Sequence, residues 1–172
     1  MPFLRGGTSD WPDAGFPGIK INPDSLVPQI VNEDAVAEAL AASTDPGDRI
    51  FVRLVEGHPA EAAELLAEAR DSDPSSLRLR IFEADVLLVS NRPDRAVELF
   101  RHLLAETHGT PDEAAIRLHL GRSYFASGNV AAAVESFSKA LDLHVAGSAD
   151  AALIYASTVA LQRARDVLDR ES

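Results

Sequence analysis

Apolar residues recur at helical spacing along nearly the whole chain from about residue 25 onward, on a background rich in Ala, Leu, Glu and Arg. Recurrence at three and four residues puts the apolar side chains on one face of a helix. Beyond Pro28, five prolines punctuate this stretch: Pro46, Pro59, Pro74, Pro93 and Pro111 each stand just before an apolar-periodic run, and none lies inside one. Proline is tolerated in the first helical turn, where its missing N–H would be unpaired anyway. Reading from start to start predicts helices near 33–42, 46–56, 60–71, 76–90, 94–106, 111–126, 130–143 and 149–169. Asp45, Asn129 and Ser148 are the expected N-caps, and Thr110 with Glu113 is expected to form a capping box. Gly57, Gly109, Gly128 and Gly147 fall where left-handed residues would end helices. No alternating apolar and polar run of useful length argues for strands, so the fold class expected is all-α.

The first 24 residues differ. They hold four of the ten prolines, four of the ten glycines and the only tryptophan, Trp11. This composition predicts an irregular N-terminal arm over 1–24 followed by a helical domain over 25–172. The arm also carries Phe3, Leu4, Phe16, Ile19 and Ile21. So many large apolar groups are unusual in a disordered tail, and the arm is therefore expected to pack onto the helices of its own or a neighbouring subunit.

The helical part repeats itself. Ala62, Leu66 and Ala69 recur as Ala96, Phe100 and Leu103, and again as Ala133, Phe137 and Ala140. Leu120-Gly121, Tyr124, Ala133, Phe137 and Ala140 resemble the tetratricopeptide repeat pattern nearly position for position. Gly128 falls where that family turns between its paired helices. Arg117 stands at the pattern's leading Trp, and Glu83 stands where Leu is preferred. The resemblance implies repeats at about 43–76, 77–113 and 114–147, with a cap helix over 148–172. It further implies a right-handed superhelical array of antiparallel helix pairs, an α-solenoid.

In that family the first helix of each pair lines a concave groove. Carried over position by position, the groove candidates are Phe51 and Leu54 from the first unit and Arg78, Ile81, Asp85 and Leu88 from the second. The third unit contributes Leu118, His119, Arg122 and Phe125, and the cap helix Arg163. The Lys, Asn and Arg clamp of the chaperone-binding members is absent, because Gly47, Phe51, Phe82, Ala115 and His119 occupy most of its positions. The face is mainly apolar with scattered arginine, and 14 of the 16 basic residues are Arg, the side chain suited to gripping a carboxylate in bidentate fashion. His119 and Arg122 share one helix face.

Charge and chemistry narrow the reading. The chain of 172 residues carries 27 Asp and Glu against 16 Lys and Arg, a formal net charge of −11. Such a balance argues against nucleic acid and against an anionic membrane surface. The absence of cysteine excludes a disulfide framework, a thiol nucleophile and thiolate metal sites. No phosphate-binding loop, dinucleotide fingerprint or zinc-protease motif occurs. The five histidines, His58, His102, His108, His119 and His144, never stand three or four apart. His102 and His144 fall near helix ends, where a charged ring would favour the helix dipole. The expectation is a cytoplasmic, non-enzymatic interaction module without cofactor or metal, an adaptor or scaffold that takes a protein or peptide segment in its groove. The alternative is a self-associating structural module, of which a homodimer is one form, whose groove is filled by its own arm or by a second copy.

Overall fold

A computed structural model describes residues 7–172 and contains eight helices and three short strands in this range. Phe3 and Leu4, expected to anchor the arm, lie outside the described residues. The strands are β1 (Asp13–Phe16), β2 (Ile19–Ile21) and β3 (Pro28–Ile30). The helices are α1 (Glu33–Ala42), α2 (Pro46–Val55), α3 (Pro59–Ser72), α4 (Leu77–Val89), α5 (Pro93–Thr107), α6 (Glu113–Ser127), α7 (Val130–Ala146) and α8 (Ala151–Glu171).

From α2 onward each helix packs on the next in sequence, and α2, α4, α6 and α8 also touch one another in that order. The second set of contacts makes the even-numbered helices an inner row. Every described helix lies close to its expected span. Pro46, Pro59 and Pro93 sit in first turns. The Asp45 carboxylate accepts from the Gly47 amide at 2.9 Å, and the Asn129 side chain caps α7 through the Ala132 amide.

The pattern that carries the repeat is a packing pattern. Ala62, Ala84, Ala96, Ala133 and Ala140 are all fully buried, as are Phe100 and Phe137. Alanine and glycine let helix axes approach closely, and the phenylalanine rings fill the gaps between neighbouring pairs. Glu83, which departs from the pattern, reaches back across the hairpin junction to Arg70 at 2.9 Å.

Four local expectations are corrected. The described part of the arm is not irregular throughout: β1 and β2, with β3 just beyond residue 24, form an antiparallel sheet in that order, with Phe16 opposite Ile19 across the Pro17-Gly18 turn and Ile19 opposite Ile30. Gly147 does not end α7 in the left-handed region; its φ is −85°, and Ser148 takes the positive φ of 53° instead. Ser148 therefore does not cap α8, which begins after Asp150. The capping box is displaced outward by one residue, with the Glu113 carboxylate accepting from the Gly109 amide (2.7 Å) and the Thr110 hydroxyl oxygen from the Asp112 amide (3.2 Å).

The arm packs on the helices of its own chain. Ile19 is buried with Val36 and Val52, and Phe16, Ile30 and Phe51 close over them. Beyond β2 the chain makes a tight strap, Asn22–Pro28. The Asn22 side chain accepts from the Asp24 and Ser25 amides, and its backbone exchanges hydrogen bonds with Leu26 and Val27. This is an Asx-type turn that is satisfied internally.

Candidate functional site

The strap sets the geometry of the inner row. Leu26 is only 3% exposed and is buried in the same cluster as Leu118, Val130 and Leu161. It adopts φ 60°, a left-handed conformation that costs a leucine about 1 kcal/mol or more. The Asp24 carbonyl just before it accepts from Arg163 Nε at 2.8 Å, and Tyr155 of α8 donates its hydroxyl to the Asp10 carbonyl at 2.6 Å. The arm thus runs from α2 to α8 and fills the inner face at its α6–α8 end.

At the α2–α4–α6 end a cavity of about 350 Å³ remains. Its walls are Phe51, Leu54 and Val55 from α2; Asp85, Leu88 and Val89 from α4; His119, Arg122 and Ala126 from α6; and Ser25 to Pro28 of the strap. Six of the predicted groove residues, Phe51, Leu54, Asp85, Leu88, His119 and Arg122, therefore come together around one space. They converge because each comes from the first helix of a pair, and those helices share the inner row.

The polar groups in this cavity are few and arranged across helices. His119 Nδ1 faces the Asp85 carboxylate at 3.6 Å, and its ring stacks on the buried Phe100 ring with centroids 5.4 Å apart. Arg122 is half-buried and makes no hydrogen bond or ion pair among the described residues. Loss of hydration holds its pKa below the ordinary arginine value, and the charge of Asp85 offsets part of that effect. Arginine still does not give up its proton at neutral pH, so an under-solvated cation lines a largely apolar wall that also holds Asp85 and His119.

The remaining predicted residues do other things. Arg78 lies against the edge of α2, paired with Asp45 and, at 3.0 Å, with Asp48, its guanidinium 5.3 Å above the Phe82 ring. Gly47 leaves room for it: a Cβ there would come within 2.7 Å of the Arg78 guanidinium, which would have to shift. The Asp48 carboxyl is held below its usual range, first by the Ser43 hydroxyl at 2.6 Å and then by Arg78. Ile81 packs against the cluster that holds Phe100, Leu118 is buried in one cluster with Leu26, and Phe125 packs against that same cluster. Arg163 holds the strap. Sequence reasoning did not name Ser25 to Pro28 as wall residues; the isolated Leu26-Val27 pair in a polar turn was the available signal.

A family model described as tetratricopeptide repeat matches residues 52–109, 83–151 and 120–171. These spans together cover well over half of the sequence. The chain belongs to the tetratricopeptide repeat family. Its repeat residues Gly121, Tyr124, Ala133, Phe137 and Ala140 stand where the helix pairs of α6 and α7 interlock. Tetratricopeptide repeats generally mediate protein–protein interaction. No curated protein and no solved structure matched the chain. Among the described residues no helix is long and apolar enough to cross a membrane.

Proposed function

We propose that this tetratricopeptide repeat protein is a non-enzymatic adaptor or assembly scaffold that docks a segment of another protein on the inner face of α2, α4 and α6. The observation that carries this reading is the cavity on that face, whose one arginine, Arg122, makes no ion pair among the described residues. An apolar side chain of the incoming segment enters between Phe51, Leu54 and Leu88, and an acidic group beside it meets Arg122. Such contacts combine area with one oriented charge, the usual composition of a binding hot spot.

The test is affinity capture from native extract with the full chain and with Arg122→Glu. A set of proteins retained by the wild type and lost from the folded variant supports the reading. An unchanged set, with the variant's circular dichroism intact, removes Arg122 and this face from it.

A second reading is favoured by Leu26. Because the strap already fills the α6–α8 end of the inner face, the module is instead a self-capped structural unit that associates with copies of itself. Light scattering after chromatography separates the two: a monomer at micromolar concentration excludes self-association, and a dimer that dissociates in Leu26→Ala supports it.

A further inference from the structure

The cavity beside Arg122 has the dimensions of a small-molecule site rather than of a continuous peptide channel. Ligand pockets of roughly 300–1,000 Å³ with mostly apolar walls and a few placed polar groups are the common form, and this one measures about 350 Å³. The strap closes one side. It is not a loose flap: the Asn22 turn is internally hydrogen-bonded, Leu26 is buried among Leu118 and Leu161, and Arg163 holds the Asp24 carbonyl. An extended chain following the inner row from α2 to α8 would meet Leu26. A compact ligand would not.

Charge selects the ligand class. Phe51, Leu54 and Leu88 supply an apolar wall, and Arg122 supplies a positive charge that makes no hydrogen bond or close ion pair among the described residues, although it feels the charge of Asp85. A guanidinium with reduced hydration gains most from a planar anion that accepts two hydrogen bonds at once. We infer that the cavity binds a small apolar monocarboxylate, its aliphatic body against Phe51, Leu54 and Leu88 and its carboxylate on Arg122. Asp85, the one carboxylate in the wall, opposes the ligand's charge and is partly occupied by facing His119 at 3.6 Å. The site therefore discriminates in favour of one anionic group on an apolar body and against a dicarboxylate. This inference does not rest on the peptide-docking reading, because a free acid needs no partner protein.

Octanoate is the probe, with octanol as its uncharged counterpart, titrated calorimetrically into the full chain. Octanoate binds more tightly than octanol. Arg122→Gln weakens octanoate by roughly tenfold or more, the loss of a charge-assisted pair, while octanol is unaffected. Asp85→Asn tightens octanoate. Equal affinity for acid and alcohol, or no binding of either, overturns the inference. So does an unchanged octanoate affinity in folded Arg122→Gln. If Arg122→Gln does not fold, Asp85→Asn decides: no gain in octanoate affinity overturns the proposal. Failure here with retained, Arg122-dependent protein capture leaves the docking reading intact.

Discussion

The ring of Phe137 fills the space that a side chain on Gly121 would need: a Cβ at that position would stand 2.5 Å from Phe137 Cδ1 and Cε1. Phe137 is fully buried, so it has nowhere to retreat. Ordinarily an alanine in place of glycine gains a helix up to about 1 kcal/mol. Here overpacking, at about 1–3 kcal/mol, opposes that gain. Gly121→Ala is expected to lower the urea midpoint, and an unchanged or raised midpoint would show that α6 and α7 can separate freely.

Leu26 and Val27 are neighbours with opposite roles. Leu26 is 3% exposed and Val27 is 53% exposed. Leu26→Ala should cost about 2–5 kcal/mol, as for other large-to-small changes in a core. Val27→Ala should stay within about 0.5 kcal/mol. Equal effects in thermal melts would mean that the strap is not seated between α6 and α8.

His144 was expected to be a charged ring favouring the end of α7. It is instead buried, and its Nδ1 lies 2.8 Å from the Ser157 hydroxyl, which itself donates to the Leu153 carbonyl. Nδ1 is then the donor to Ser157. Burial pushes the His144 pKa below its ordinary value. The folded protein thus holds His144 neutral while the unfolded chain takes up a proton near pH 6.5. Its contribution to stability is complete above that pH and declines as the pH falls through and below it. His144→Gln should flatten the pH dependence of the melting temperature between neutral and mildly acidic solution. Parallel curves for the two proteins would contradict this.

Arg78 offers a contrast with Arg122. Both are arginines of the inner-row helices, yet Arg78 is paired with two aspartates and substantially exposed. Exposed pairs contribute little, so Arg78→Ala should cost at most about 1 kcal/mol. Because its charge is already matched, the substitution should also leave octanoate affinity and captured proteins as they were. A loss of binding comparable to that of Arg122→Gln would extend the site to the edge of α2.

The helices were legible because proline and capping residues mark their beginnings and helical periodicity marks their faces. Pro59, Asn129 and the spacing of Ala133, Phe137 and Ala140 each state a local preference that packing did not override. The strands were harder to see because each is only three or four residues long. Ile19-Lys20-Ile21 alternates, and Pro17-Gly18 with φ 80° at Gly18 has the residues a tight reversal demands, but so short a run rarely stands alone. The cavity residues followed from repeat position, since first helices share a face. Arg78 and Arg163 were placed in the same row without any local sign that Asp45 with Asp48, and the Asp24 carbonyl, would engage them. Those partners are 30 or more residues away in sequence, and only the assembled fold supplies them.

Stacked helix pairs normally stabilise only their nearest neighbours, so such arrays loosen from their two ends. In this chain Asp24 meets Arg163 and Asp10 meets Tyr155, joining positions 139 and 145 residues apart. The last helix is therefore moored to the N-terminal arm at Asp10 and Asp24, and the terminal pair cannot peel away without breaking those two hydrogen bonds. Such a tie is expected to make the two halves of the array melt together and to close late in folding, because segments so distant along the chain must find each other before it can form.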